Sequence, residues 1–333
     1  MIYDIKIERF RGIREGYLKG LTPLTVLVGP NGSGKSSILE AMLIGRTEDI
    51  EGAIRQIADK KVEVKQRARW LFWKIGSEGS AFIGANYNKD QLRARKVTLQ
   101  TSRQEDIQVA VEDLIMVEGH YLSNPQVPKI EYRFFLGPIE SPKKLVPEFD
   151  PIILFEPYLS QERRLEALYD EALARGKLEE VHTLLRQVLP SLQNLTLGSD
   201  SGMTRLHTNF GDRSVPAQFA GDGILALIRL SLELIMCSEG IVLIEEPETH
   251  QHYRTLQLTA KVIWAAVKRN IQVILTTHSL EFIDALIETR PEEVDLDKFS
   301  VIRTNLRSGL LITQCYSGQT VDYARTELEE DLR

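Results

Sequence analysis

The sequence predicts an α/β fold: a mostly parallel sheet flanked by helices, with an N-terminal antiparallel β part and a large α+β insertion. Three observations carry this. "IVLI" (241–244) and "IQVILTTH" (271–278) are continuous apolar runs, each followed by a segment of helical period, a pattern that means parallel strands covered on both faces. Residues 2–28 read as strands, "IYDIKIERF" by alternation and "LTVLV" (24–28) by unbroken apolarity. An apolar run meets a helix pattern at a glycine-rich junction, "VLVGPNGSGKSSILEAM" (26–42).

The elements follow in order. Residues 36–58 are expected to be helical, with Ile38, Leu39, Met42 and Leu43 on one side. "SAFIGANYN" (80–88) and "QLRARKVTLQ" (91–100) read as a hairpin, and "KIEYRFFL" (129–136) as a further strand. Prolines from Pro125 to Pro157 punctuate an irregular stretch. A helical region runs from Ser160 to Leu189, broken near Gly176, and Pro190 ends it. "GDGILALIRLSLELIM" places Ile224, Leu227, Ile228, Leu232 and Ile235 on one helical side. "YRTLQLTAKVIWAAVK" (253–268) does the same with Leu256, Ala260, Ile263 and Val267, and "LEFIDALIE" is a third helix. "VDLDKF", with Asp295 and Asp297, is a loop before the strand "FSVIRTN". The strand at 24–28 belongs in the same sheet as the late strands. Residues 1–47 and 205–333 therefore form one unit, and 48–204 is inserted into it, as a β-hairpin and helical region expected to regulate or to bind a partner.

Composition is that of an ordinary globular chain, with 43% hydrophobic and 26% charged residues among 333. Cys237 and Cys315 match no metal spacing, which fits a reducing, cytoplasmic setting. The N-terminal "MIYDIKIERFRG" is no signal peptide. The most apolar stretch, 224–236, is short and holds Arg229 and Glu233, so no membrane span is expected. Net charge is −6, yet residues 54–103 carry 12 Lys and Arg against 4 Asp and Glu. Such a block is either a footprint for phosphates or a face paired with acidic surroundings.

Gly29 to Ser36 fits G-x-x-x-x-G-K-[ST], the P-loop. Its glycines let backbone lie close to a ligand, and the unpaired N–H groups opening the next helix favour an anion. Lys35 supplies a flexible cation for β- and γ-phosphates, and Ser36 a hydroxyl for Mg²⁺. Glu245 and Glu246 end a buried strand, on the side where α/β sheets bind ligands. One acid suits a Mg²⁺ shell, and the next suits the orientation or deprotonation of a water. His278 ends the neighbouring strand. A Ser–His hydrolase built on His278 and Ser279 is excluded by their adjacency, since neighbours in a strand point to opposite faces. His250 and His252 form an H-x-H pair for which no third ligand stands out.

The ordered set "VGPNGSGKSS", "GDGILALIRLSLEL", "IVLIEEPETH" and "ILTTHS" resembles the ABC-type ATPase heads of the RecF, SMC and OLD group. It is most similar to the stand-alone AAA-21 or AAA-15 predicted ATPases, which share the OLD-type head. The resemblance covers residues 1–47 and about 205–333. It implies ATP as substrate and Mg²⁺ as cofactor. It implies that Asn31, Gly32, Ser33, Gly34, Lys35, Ser36 and Ser37 hold the phosphates, with Ser36 also on the metal. Glu245 takes the Walker B place, Glu246 that of the general base, and His278 that of the switch histidine. Arg11, in "RFRGI", reaches the nucleotide in such heads. Gly221, Asp222 and Gly223 match the signature loop that caps ATP on a second subunit, and Glu248 and His250 of "PETH" match the D-loop near the dimer seam. Two departures stand out: Glu245 replaces the usual aspartate, and Ala220-Gly221-Asp222 replaces serine-glycine-glycine and removes a hydroxyl. The Q-loop glutamine is not assigned among Gln66, Gln91, Gln100 and Gln104.

The 55 residues after His278 leave too little room for the Toprim domain of OLD nucleases, and no long heptad run suggests an SMC coiled coil. The expectation is an ATP-driven switch: a homodimer closed by ATP that regulates a separately encoded effector protein in DNA repair or anti-phage defence. An alternative is an ATP-gated DNA-binding module using the basic 54–103 region, with Arg67, Arg69, Arg93, Arg95, Trp70, Phe72 and Trp73. A weaker one is a small-molecule kinase.

Overall fold

The computed structural model of the chain describes residues 1–47, 49–59, 70–73, 79–88, 93–101, 106–117, 120–123, 129–135, 152–155, 165–200, 202–237, 240–249 and 251–333. Strands β1 (Asp4–Phe10) and β2 (Ile13–Lys19) form an antiparallel pair ahead of the wholly buried β3 (Leu24–Val28). Helices α1 (Lys35–Arg46) and α2 (Ile50–Asp59) follow. Then come β4 (Gly79–Asn88), β5 (Arg93–Thr101), β6 (Asp106–Val117), β7 (His120–Ser123), β8 (Ile130–Phe135) and β9 (Ile152–Phe155). Helices α3 (Leu165–Ala174) and α4 (Leu178–Val188) precede β10 (Asn194–Asp200), β11 (Met203–Asn209) and β12 (Ser214–Pro216). The last part alternates: α5 (Asp222–Met236), β13 (Gly240–Glu245), α6 (Tyr253–Lys268), β14 (Ile271–Thr276), α7 (Leu280–Glu288), β15 (Phe299–Arg307), β16 (Leu310–Ser317) and α8 (Gly318–Thr326).

Thirteen of these strands share one mixed sheet, ordered β7-β6-β5-β4-β1-β2-β16-β15-β3-β14-β13-β9, with β8 also on β6. The block β15-β3-β14-β13-β9 is parallel throughout. Its strands alternate between two cores. Leu24, Val26 and Val28 join the cluster made with α5, α6, α7 and α8, while Leu27 joins the one made with α1 and α2. Both faces are thus covered, which is why these strands read as unbroken apolar runs. Trp264 on α6 is fully buried, donates its indole N–H to Leu286 O (2.8 Å) and meets Phe299 edge-on at 6.0 Å.

The antiparallel wing, β2-β1-β4-β5-β6, joins this block where β2 meets β16. Only one ladder pair is formed there, Leu310 with Glu15. Gly309 O accepts from Arg14 N–H (2.7 Å) and Glu15 N–H (3.2 Å) beside it.

Several elements differ from the sequence expectation. The helix expected over 36–58 is two helices. Thr47 leaves helical geometry, and the Asp49 carboxylate accepts the Gly52 N–H (2.8 Å), the chemistry of a new helix start. The proline-rich stretch contains β9, which pairs in parallel with β13. Its four residues, Ile152 to Phe155, lie opposite Ile241 to Ile244. Of the segment 48–204, β4, β5 and β6 extend the sheet from β1, and the 204/205 boundary falls inside β11. None of the helices among the described residues is long and apolar enough to cross a membrane.

Candidate active site

β3, β14 and β13 are parallel neighbours, with Leu27 opposite Thr276 and Thr276 opposite Glu245. Their carboxyl ends therefore open on one edge of the sheet, and three separate stretches of sequence meet there. They are the glycine-rich loop after β3, the acids after β13 and the histidine after β14.

In the loop, Gly32 and Gly34 have φ of 76° and 93°, which side chains resist. The first helical bond of α1 runs from Ile38 N–H to Gly34 O (2.9 Å). The N–H groups of Lys35, Ser36 and Ser37 precede it, the arrangement that attracts an anion. Asn31, Gly32 and Ser36 are exposed, Ser37 is half-buried and Ser33 is buried. Lys35 is 6% exposed and donates through Nζ to Gly29 O (2.9 Å) and Pro30 O (3.2 Å). Burial lowers its pKa, while Glu246, Glu248 and Glu245 oppose that shift. The cation and the three carboxylates thus share one electrostatic environment, although Lys35 is more than two hundred positions from them in sequence.

Glu245 is half-exposed at the end of β13. Glu246 takes a left-handed backbone, φ 44°, an uncommon conformation for a residue with a side chain. Its N–H lies 3.2 Å from Thr276 O and 3.1 Å from Thr276 Oγ1. This turn brings Glu246 Oε1 to 3.5 Å from His278 Nε2. Burial depresses the His278 pKa, with Lys35 and Arg333 acting the same way and Glu246 against them.

The remaining expected residues surround this edge or stand apart from it. Glu248 is half-buried beside the histidine, and its Oε1 accepts the His278 N–H (2.8 Å). Arg11 is turned to α1, where Nε and Nη2 donate to Glu40 Oε2 (2.8 Å) and Oε1 (3.2 Å). Gly221 (φ 97°) and Asp222 are exposed at the start of α5, and a Cβ on Gly223 would meet Thr255 Cγ2 at 3.0 Å. No hydrogen bond or ion pair among the described residues links 221–223 to the glycine-rich loop. His250 lies outside the described residues, as do Arg67, Arg69, Gln66, Gln91 and Gln104. In the basic region, Arg95 and Lys96 face Asp113 (3.6 Å) and Glu112 (3.3 Å). Sequence reasoning missed Arg333, whose Nη1 donates to His278 O (3.0 Å), and Thr304, which touches the glycine-rich loop from β15.

A family model described as AAA ATPase domain matches residues 1–133 and 148–283. The chain is 20% identical over 373 residues to an "ATP/GTP phosphatase" of Helicobacter pylori, with all of both chains covered. It is 31% identical over 209 residues to the "DNA double-strand break repair Rad50 ATPase" of Thermoplasma acidophilum, covering 58% of this chain and 20% of that one. Among solved structures, an SMC head bound to the C-winged helix domain of ScpA aligns with a TM-score of 0.55 and 13% identity, over 95% of this chain and 98% of that one. An Smc head with an extended coiled coil, bound to the C-terminal domain of ScpA derived from Pyrococcus furiosus, gives 0.54 and 12%, over 99% of both. These structural likenesses establish the fold. With the family model spanning most of the sequence and the P-loop in place, the chain belongs to the AAA ATPase domain family and is an ATPase of ABC/SMC-head architecture.

Proposed function

We propose that ATP hydrolysis occurs at the shared edge of β3, β14 and β13, and that it controls closure of a homodimer which regulates a partner. The observation that carries this reading is the meeting of Lys35, Glu246 and His278 at that edge. Lys35 leaves its own loop carbonyls for the β- and γ-phosphates, while the backbone of 31–37 cradles them. Glu246 orients the attacking water and takes its proton, held in place by its left-handed turn. His278 sits within reach of both Glu246 and the transferred phosphoryl group.

Mg²⁺ fits the donors available. Ser36 Oγ and the Glu245 carboxylate are hard oxygen ligands at accessible positions, and Mg²⁺ takes few protein ligands when phosphate oxygens complete its shell. Ser36 and Glu245 would hold the ion, which neutralises phosphate charge when bound.

In the homodimer, Gly221, Asp222 and Gly223 of one copy cap ATP on the other, and Glu248 lies toward the seam. The exposure of Gly221 and Asp222 supports this use. The likeness to a Rad50 ATPase favours DNA repair as the setting, with 48–204 facing the effector. The test is the mass in solution of wild type and Glu246→Gln, with and without Mg–ATP. The variant is expected to bind ATP, to lose about 100-fold or more in kcat, and to accumulate as a dimer. A monomer under all conditions rejects the dimer, and unchanged turnover removes Glu246 from its role.

A further inference from the structure

Thr304, in the middle of β15, is 0% exposed, and Ser33, in the glycine-rich loop, is 2% exposed. Thr304 Oγ1 lies 3.0 Å from Val28 O and 2.9 Å from Ser33 Oγ. A carbonyl only accepts, and a hydroxyl carries one proton. The Thr304 hydroxyl therefore donates to Val28 O, and the Ser33 hydroxyl donates to Thr304 Oγ1. The two ends of this relay are the two flanks of the loop, since Val28 closes β3 and Ser33 stands just before α1. The main chain of β15 presses on the same loop: a Cβ on Gly29 would come within 2.3 Å of Thr304 O, which leaves only glycine there.

We propose that Thr304 is a positioning residue for nucleotide binding, its hydroxyl stapling the entry of the phosphate loop to its exit so that the loop is set before ATP arrives. This rests on reading 29–37 as the phosphate cradle. Thr304 lies beyond residue 283, where the family match ends. It touches no phosphate itself. Its effect passes through Ser33, which is fixed between the left-handed Gly32 and Gly34. A pre-set loop binds ground and transition states alike, so its loss raises KM and spares kcat.

The experiment compares Thr304→Val, Thr304→Ser and Ser33→Ala by steady-state ATPase kinetics, by binding of a fluorescent ATP analogue, and by thermal unfolding without nucleotide. Thr304→Val keeps the shape and removes the hydroxyl. It is expected to raise KM and Kd about tenfold or more, since both hydrogen bonds of the relay are lost, with kcat within about twofold. Thr304→Ser restores the hydroxyl and is expected to return KM to near the wild-type value. Thr304→Val and Ser33→Ala together are expected to cost no more than Thr304→Val alone, since that change already removes both bonds of the relay. An unchanged KM in Thr304→Val overturns the proposal. So does a Thr304→Ser protein as impaired as Thr304→Val, which would make the methyl group the cause. So does a fall in melting temperature that accounts for lost activity with KM intact. A wild-type protein that binds no Mg–ATP removes the phosphate-cradle reading together with this one, whereas a normal wild type beside an indifferent Thr304→Val removes this one alone.

Discussion

His278 Nε2 stands 3.5 Å from Glu246 Oε1, and the His278 main chain is held on both sides, its N–H by Glu248 and its C=O by Arg333. Burial pushes the imidazole pKa below its ordinary 6.5. The folded state then binds fewer protons here than the unfolded chain, so this group's contribution is complete above pH 6.5 and is lost as pH falls through the folded pKa. Melting curves between about pH 5 and 8 should show stability falling on the acid side in wild type, and less steeply in His278→Gln. Parallel curves would show that His278 does not titrate there.

Glu248 has the opposite sign. Burial raises its pKa above 4.5, against the bonds from Thr277 and the His278 N–H, and Glu246 adds to the rise. Its Oε2 is buried without a partner. Stability from this group is complete below 4.5 and is lost as pH rises through the folded pKa. Glu248→Gln keeps an acceptor for His278 without the buried charge. Its melting temperature should exceed that of wild type by about 2 °C or more at neutral pH, and the gain should vanish in acid. A lower melting temperature at neutral pH would mean that the charge is stabilising.

Arg11 and Glu40 test a structural role against a nucleotide-binding one. Glu40 is 5% exposed on α1, and Arg11 satisfies it with two donors. Arg11 is itself partly exposed and Glu40 keeps a further interaction, so removing the guanidinium costs about 1–3 kcal/mol, the range for a lost hydrogen bond to a charged group. Arg11→Ala should lower stability by that order in urea titration, and Arg11→Ala with Glu40→Leu should recover much of it. A rise in KM for ATP with unchanged stability would instead place Arg11 on the nucleotide.

Lys35→Ala should reduce kcat/KM by about 100-fold or more, as expected for loss of one preorganised charge at the phosphates. Its melting temperature should hold or rise, since burial already disfavours the Lys35 cation. Residual activity near wild type would show turnover at another site.

The site was readable wherever chemistry is written in consecutive residues. Gly29 to Ser37 announce an anion cradle by spacing alone, and Glu245-Glu246 by two acids after an apolar strand. The parallel strands were equally plain, because burial on both faces leaves no polar alternation in "LTVLV" or "IQVIL". What escaped was set by distance or by neighbours. Thr304 is an ordinary strand threonine until the fold brings it to Ser33, 271 positions away. Arg11 carries a nucleotide-reaching motif, but the nearby Glu40 takes its guanidinium. Glu248 sits in a short exposed-looking run, and only the packing of the His278 turn shows that its carboxylate is partly buried and bonded. β9 was hidden by flanking prolines, and its four residues gain strand character from β13 beside them.

The single rung between β2 and β16 gives the sheet a crease. Backbone hydrogen bonds resist relative rotation in proportion to their number, and here one paired residue and the Gly309 carbonyl span the join. What ties the hairpin wing to the parallel block is therefore the core beneath the join, where Ile5, Ile7, Ile83 and Val97 of the wing pack with Ile38 and Met42 of α1 and Arg95 donates to the Arg46 and Thr47 carbonyls.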